Sequence, residues 1–243
     1  MTTTTNNNGR LGNQIIRNLA VSLIANKHNL YVNYYNYDLI KKLGIELFIG
    51  SNKYTNTIIL NDENYFSIYE KKLLNSNLNP NNNYFQTKAI ANCLYNYLHT
   101  YEIKQNIINL NPFRDRYNIN NDLYIHIRLG DVEQYNPGIN YYMKTINIIN
   151  FNNLYISSDN KNHFIIKQIL EKYPYTKIIE YDEIKTIQFA STCKNIILSH
   201  GSFSAIIGYL SFFSNINYPE YEHDKLWYGD MFSINGWNKI SIN

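Results

Sequence analysis

The sequence has little of what marks several well-known classes of protein. It contains two cysteines, Cys93 and Cys193, in no CxxC or Cys/His spacing, so we expect two reduced thiols and no structural zinc site. No apolar run reaches the roughly 18 residues that a membrane helix needs, and the N-terminus has neither the basic nor the apolar region of a signal peptide. We therefore expect a cytoplasmic protein without a transmembrane segment.

Charge of one sign is also scarce. The chain has 22 Lys and Arg against 19 Asp and Glu, a formal net charge of +3, and its basic residues are scattered rather than clustered. This distribution argues against a nucleic-acid partner. Asn, Ile and Tyr are abundant instead, as an A/T-rich coding sequence would produce. With 243 residues, 44% of them hydrophobic, the chain can bury a sizeable core.

Several catalytic motifs are missing as well. The sequence has no Walker loop, no GxGxxG after a clear strand and no nucleophile elbow. It also lacks a DxD motif of the kind with which metal-dependent sugar transferases hold a diphosphate. Without these motifs the sequence gives no sign of a metal or of another cofactor, and we expect none.

Hydrophobic periodicity predicts an α/β fold. In the first half, helices are predicted over residues 15–28 and 89–108 and a strand over 30–34, whereas residues 50–86 give no clear pattern. The polar residues ahead of the first helix contain no apolar strand. In the second half, strands and helices alternate, which is typical of a parallel sheet. The strands are predicted at 123–127, 153–157, 176–181 and 195–199, and the helices at 161–172, 183–192 and 203–212.

The polar stretch 114–121 is the best candidate for a linker. It predicts an N-terminal domain of residues 1–118 and a C-terminal domain of residues 119–243. Two of the helices in the second domain have candidate N-caps, Asp182 and Ser202, because each precedes an apolar helical segment.

Polar residues follow three of the predicted strands at the point where each strand ends. These segments are His126 to Asp131, Ser157 to Asn160 and Ser199 to Ser204. In parallel sheets ligands bind beyond the carboxyl ends of the strands. Three such strand ends predict a shared crevice.

The first of these segments has the chemistry of a phosphate site. His126 and Arg128 are two residues apart, so on a strand they point to the same side. Arg128 offers a planar fork of donors suited to a phosphate, Gly130 permits a tight turn, and Asp131 can brace Arg128 or accept from a ribose hydroxyl. The alternative is an ordinary ion pair between Arg128 and Asp131 at the surface.

Two further segments could bind an anion. Ser199 to Ser204 lies between a strand and a helix, and a helix N-terminus presents free N–H groups. Plain N-capping by Ser202 is the alternative there. Gly9 to Gln14 is a glycine-bounded loop that opens a helix, although it matches neither the dinucleotide fingerprint nor a P-loop. Asp159 is either a ligand contact or part of a solvated turn.

Taken together, these motifs resemble the α-1,2-fucosyltransferase family of the fucosyltransferase superfamily. The family has a GxLGNQ loop, an HxRxGD motif, a strand ending in Ser-Asp, a Cys-Lys-x-x-Ile strand and an SxFS segment, in that order. Protein O-fucosyltransferases carry a similar Gly-Arg-x-Gly-Asn-Gln loop. The matching residues here are Gly9 to Gln14, His126 to Asp131, Ser158-Asp159, Cys193 to Ile197, Ser202 to Ser204, and a C-terminal stretch from Trp227 to Trp237.

The resemblance implies a GT-B-like fold with two Rossmann-like domains facing a cleft, the N-terminal one reduced. It also implies an inverting, metal-independent transfer of L-fucose from GDP-β-L-fucose to a sugar hydroxyl of a glycan. The partners would be the nucleotide-sugar donor and the glycan acceptor.

The resemblance also implies roles for individual residues. Arg128 and Asn13 would be catalytic, with Arg128 stabilising the departing GDP. The residues expected to bind the donor are His126, Asp131, Asp159, Ser202, Phe203, Ser204, Gly9 and Gly12.

Two alternatives remain open at this point. Leu129 and Asn160 stand where the family commonly has Arg and Asp, which leaves room for another nucleotide-sugar donor. Ala205-Ile206 stands where the family usually has Trp-Trp, and the usual apolar first strand is replaced by Thr and Asn. These changes leave room for a non-catalytic sugar- or nucleotide-binding protein of the same fold.

Overall fold

The computed structural model describes residues 2–221 and 229–242. They form two compact units. The first contains residues 2–107 and 229–231, and the second contains residues 108–221 and 232–242. Of the two tryptophans that bound the C-terminal stretch of the resemblance, Trp227 lies outside the described residues and Trp237 belongs to the second unit.

The first unit is built around helix α1 (Leu11–His28), which starts four residues earlier than the periodicity predicts. Fourteen of its 18 residues are buried, including Arg17. The guanidinium of Arg17 donates to the backbone carbonyls of Asn83 at 2.8 Å and Asn81 at 2.6 Å, so loop carbonyls rather than carboxylates satisfy its buried donors. Helix α1 ends at Asn29, which adopts the left-handed conformation with φ of 53°.

The polar leader of the first unit does form a strand, contrary to expectation. Strand β1 (Thr3–Thr4) pairs in parallel with β2 (Val32–Asn33), which is shorter than the predicted strand 30–34. Thr3 is fully buried, and its hydroxyl accepts a hydrogen bond from the N–H of Leu78 at 2.8 Å, which offsets the burial of a polar side chain. The remaining short elements are helices α2 (Tyr37–Lys41) and α3 (Tyr65–Tyr69) and the parallel pair β3 (Thr57–Ile59) and β4 (Asn77–Asn79).

The helix predicted over residues 89–108 is in fact two helices, α4 (Lys88–Leu98) and α5 (Tyr101–Leu110). The break lies at His99 and Thr100. The carbonyl of Thr100 accepts from the N–H of Lys104 at 2.9 Å, and so begins a second helix where the apolar pattern alone reads as continuous.

The second unit confirms the α/β prediction. Its six strands form one parallel sheet in the order β10-β9-β8-β5-β6-β7. The central strand β5 is buried at all five positions, which explains its run of mostly apolar and aromatic residues. The strands are β5 (Leu123–Ile127), β6 (Leu154–Ser158), β7 (Lys177–Ile178), β8 (Asn195–Ile197), β9 (Asn215–Pro219) and β10 (Asn238–Ile240).

The helices of this unit pack their apolar faces on the sheet. They are α6 (Ile139–Asn147), α7 (Phe164–Lys172), α8 (Glu183–Ala190) and α9 (Ser202–Tyr209). Asp182 caps α8 as predicted, because its carboxylate accepts from the N–H of Lys185 at 2.7 Å. The prediction that Ser202 caps α9 is wrong: the cap position is Gly201, which has no side chain to offer, and Ser202 is the first helical residue.

The two units divide between Ile107 and Ile108, whereas the linker pattern placed a boundary at 118/119. Residues 108–118 belong to the second unit. The buried side chain of Asn111 donates to the carbonyl of Gln188 at 2.9 Å, and Arg116 pairs with Asp122 at 2.8 Å.

Both cysteines are free thiols, as expected, with Cys193 buried and Cys93 partly exposed. In residues 2–221 and 229–242, no helix combines the length and the hydropathy needed to cross a membrane.

Candidate functional site

The candidate site lies at the carboxyl edge of the second unit's sheet. Strand β5 lies between β6 and β8, so the three segments that follow these strands are neighbours. The registers place His126 opposite Ser157 and Ile127 opposite Ser158, which puts the ends of β5 and β6 level. The three predicted strand ends are therefore neighbours at one edge of the sheet, and a shared crevice there stays a prediction.

His126 is a buried, neutral contact of helix α9. Its side chain is only 5% exposed; Nδ1 lies 2.5 Å from the hydroxyl of Ser204, and its ring centre lies 5.1 Å from that of Phe203. Burial, together with the positive charge of Arg128, lowers the pKa of His126 to about 3. The imidazole is therefore uncharged near neutral pH, and acts as a hydrogen-bonding group rather than as a cation.

Arg128 is held by two carboxylates. Its Nη1 donates to Asp159 and its Nη2 to Asp131, and the second oxygen of Asp159 accepts from the N–H of Leu129 at 2.8 Å. The carbonyl of Arg128 accepts from Asn136 at 2.8 Å. A guanidinium has five donors, so this clamp fixes the plane of the fork while leaving further N–H groups for a ligand.

The turn after Arg128 depends on a glycine. Gly130 has φ of +33°, and a Cβ atom built on it would collide with Oδ2 of Asp159. No other residue type permits both this backbone conformation and this close approach. Leu129 beside it is fully buried and packs in the core of the unit, so the position where the resemblance leads one to expect a second arginine faces the core here.

Helix α9 follows β8, the strand next to β5, and His126 of β5 contacts its first turn. Gly201, the residue before the helix, has φ of +89° and no side chain of its own with which to cap it, and the first turn has no acidic residue. The first N–H groups of such a helix have no partner within the helix, and its dipole favours an anion there. Ser202 and Phe203 are half-buried in this first turn, and Ser204 is buried against His126.

Several residues of the site carry no signal in the sequence that would place them there. The amide of Asn136 joins the carbonyl of Arg128 to the hydroxyl of Tyr142, which in turn donates to Ser199 at 2.9 Å. Ser199 lies 3.3 Å from Nδ1 of His200. Burial and the charge of Arg128 lower the pKa of His200 to about 4. In the sequence, His200 is marked only as a polar residue at a strand end. The partners of Asn136 follow from the tertiary fold, so no sequence pattern predicts them.

A histidine–carboxylate pair, His163 and Glu133, lies on the same edge of the sheet. Nε2 of His163 is 2.7 Å from Oε1 of Glu133, and the other ring nitrogen accepts from the N–H of Ile165 at the start of α7. The Nε2 atom therefore carries the proton and donates to Glu133. The carboxylate of Glu133 is half-exposed, within reach of solvent and ligands.

The glycine loop belongs to the first unit. Gly9 has φ of +76°, its carbonyl accepts from Gln14 at 2.7 Å, and a Cβ on it would collide with the side chain of Asn13. The amide oxygen of Asn13 accepts from Gln86 at 2.7 Å. Gly12 is buried in the first turn of α1. The loop and Gln86 thus fix Asn13 in the first turn of α1.

The predicted site residues therefore fall into two sets. The structure brings together the set in the second unit, whereas the loop residues belong to the first unit. The first set is His126, Arg128, Asp131, Asp159, Phe203 and Ser204, with Ser202 in the same helical turn, and the second is Gly9, Gly12 and Asn13.

Among the described residues, no group of three or more His, Cys, Asp or Glu side chains is arranged to hold a metal ion. Comparison with models of known protein families and with curated proteins finds no match to this chain. What the site can do therefore has to follow from its geometry and chemistry.

Proposed function

We propose that the protein is an inverting glycosyltransferase that takes its sugar from a nucleotide-diphosphate donor, with GDP-β-L-fucose as the preferred donor and a glycan hydroxyl as the acceptor. The observation that carries this proposal is the position of Arg128. Two carboxylates fix its fork at the edge of a parallel sheet where ligands bind, and His126, two residues before it, contacts the first turn of α9.

The proposed reaction requires fixed hydrogen-bond donors for the leaving diphosphate, and this edge of the sheet supplies them. An acceptor oxygen forms a bond to the anomeric carbon while the bond from that carbon to the diphosphate oxygen breaks, and its electron pair leaves with GDP. Negative charge grows on the diphosphate in the transition state. Fixed donors placed where charge develops lower the barrier most. Arg128 and the amides of Ser202 and Phe203 are such donors.

The two carboxylates around Arg128 differ in how firmly they are held. The side chain of Asp159 is 25% exposed and also holds the N–H of Leu129, so it orients the guanidinium. That of Asp131 is 58% exposed and reaches Arg128 from only three residues away. We propose that Asp131 gives way to the diphosphate or turns to a ribose hydroxyl, while Asp159 stays in place.

The proton of the acceptor must also be taken up. Glu133 is half-exposed and is held by His163, so it is the best-placed carboxylate to receive that proton. In this scheme the second unit is the donor-binding domain of a GT-B-like enzyme. Asn13, at the start of α1 in the first unit, is proposed as the second catalytic residue.

A second function is favoured by one specific feature. Two carboxylates on one guanidinium leave the site without excess positive charge, so it stabilises a departing diphosphate less than a free guanidinium would. This favours a protein that binds a nucleotide sugar without transferring the sugar. The two functions differ in turnover, not in donor binding.

Replacing Arg128 with Lys tests the proposal, because it keeps the charge and removes the planar fork. We expect turnover of GDP-fucose to fall by at least ~100-fold if the fork stabilises the leaving diphosphate. Arg114→Lys is the matched control, since Arg114 is an exposed arginine of the same unit.

Donor binding is measured in parallel by calorimetry with GDP, GDP-fucose and UDP-galactose. Near-normal turnover in the Arg128→Lys variant would remove Arg128 from catalysis. Equal binding of UDP-galactose would rule out GDP-fucose as the preferred donor. Tight GDP-fucose binding with no product from any glycan acceptor would favour the non-catalytic function.

A further inference from the structure

A second cleft lies at the opposite, amino edge of the same sheet. Its volume is about 850 Å³, a size typical of ligand sites, and it is formed by the starts of β5, β8, β9 and β10. Strand β5 has five residues, so roughly 15 Å separates this edge from the candidate donor site. The cleft uses none of the donor-site residues.

Side-chain amides line the floor of this cleft as a hydrogen-bonded relay. Asn215 donates to Asn195 at 3.1 Å, Asn195 donates to Asn121 at 3.3 Å, and Asn121 donates to the carbonyl of Asn150 at 3.1 Å. A side-chain amide has two N–H groups and two lone pairs, so each relay member that uses one of each keeps the others for a ligand. The relay also fixes which way each amide faces.

The cleft is neutral and polar rather than charged. Half of its lining residues are asparagine, whereas only about one residue in six of the whole chain is, so the coding bias alone does not account for this lining. None of the described lining residues is acidic. Of its two lysines, Lys239 is paired with Glu220 at 2.8 Å, which leaves Lys194 as the main cation. This lining of neutral amides with little net charge favours an uncharged ligand.

An aromatic ring completes the lining. Trp237 is half-buried; its inner edge lies against Gly208 of α9, where a Cβ atom would collide with the indole. Tyr209 and Tyr218 hold the ring, with centroids 5.9 and 6.3 Å away. The ring is therefore fixed, and its outer part belongs to the cleft. A rigid ring beside oriented amides suits a ligand with both apolar C–H faces and hydroxyl groups.

We propose that this cleft binds a neutral oligosaccharide, through the amide relay and the outer part of Trp237. Each sugar hydroxyl is both donor and acceptor, which matches the spare N–H and lone pair that each amide keeps. The inference does not rest on the proposed transferase function, because it uses residues of the other edge.

The test uses the intact protein labelled with 5-fluorotryptophan, whose two indoles give separate fluorine resonances. The Trp237→Phe variant assigns the resonance of Trp237. We expect lactose, maltotriose and cellotriose, titrated singly, to shift this resonance for at least one sugar, with a Kd on the order of 1 mM for an open cleft. Asn215→Asp and Asn238→Asp, two exposed positions of the lining, should each weaken binding about fivefold or more.

Three controls make the outcome decisive. Asn140→Ala, at an exposed position of α6 outside the cleft, should leave the Kd unchanged, and so should Arg128→Lys, even if it abolishes turnover. No shift with any of the three sugars, or a shift that both Asp variants retain, would overturn the proposal. A shift with inorganic diphosphate or GMP instead of sugars would show an anion or purine site and would equally overturn it.

Discussion

Asp159 is the residue on which the geometry of the candidate site depends most. One carboxylate oxygen holds Arg128 and the other holds the N–H of Leu129, so a residue after β6 fixes the turn after β5. The approach is possible only because Gly130 has no side chain. The carboxylate of Asp159 and the turn at Gly130 thus depend on each other for their conformation.

Gly130→Ala should loosen this arrangement. The new methyl group would collide with Oδ2 of Asp159, and alanine also disfavours a positive φ. We expect a loss of about 2–3 kcal/mol in the free energy of unfolding, measured with urea, and weaker GDP binding.

Gly236→Ala is the control for that change, since Gly236 has φ of +85° and open space where a Cβ would point. It should cost only the backbone term of about 1 kcal/mol. Equal losses for the two variants would mean that the contact with Asp159 adds nothing.

For individual site residues, the sequence predicted their positions in the fold better than their contact partners. The spacing of His126 and Arg128 correctly placed both at one strand end. The partner of His126, however, is Ser204, 78 residues away, and no local pattern selects it. A contact between Asp131 and Arg128 was predicted, as a brace or as a surface ion pair, because a short turn lets residues three apart meet.

Helices and strands were predictable where an apolar pattern extends over several residues. Strand β5 was predicted with its observed bounds, because five buried positions give an unmistakable run. The two-residue strands β1 and β2 were not, since neither is long enough to carry a pattern. The division of α4 from α5 falls at His99 and Thr100, a two-residue break that a window of apolar residues averages out.

The two candidate caps give a matched test at the level of helices. Asp182→Ala removes a real cap of α8, so we expect a loss of about 1 kcal/mol in the free energy of unfolding. Ser202→Ala removes no cap of α9 and should change that free energy by less than about 0.5 kcal/mol.

Guanidinium unfolding of both variants, with the wild type alongside, measures this difference. A loss at Ser202 as large as that at Asp182 would show that the hydroxyl of Ser202 stabilises the start of α9 after all.

The whole molecule should lose stability on mild acidification. His126 and His200 have pKa values of about 3 and about 4 in the folded chain, below the ordinary value of 6.5. Their stabilising contribution is complete above pH 6.5 and is lost as the pH falls towards the folded values, because the unfolded chain then binds more protons. Each histidine adds a slope of up to about 1.4 kcal/mol per pH unit in that window.

Urea unfolding between pH 4.5 and pH 7.5 measures the slope. His126→Gln keeps a hydrogen-bonding side chain for Ser204 and removes one titrating group, so its slope should be shallower. The same slope in the variant and the wild type would mean that His126 is not a buried neutral histidine.

The sheet of the second unit also bears on how the protein behaves at high concentration. A chain this rich in Ile, Tyr and Asn has a composition prone to β-aggregation, and exposed edge strands are where such aggregation starts. Here the two outer strands are short, with two residues in β7 and three in β10, and each contains a lysine, Lys177 and Lys239. Short, charged outer strands offer an incoming chain few backbone groups to pair with, and so protect an aggregation-prone composition from assembling edge to edge.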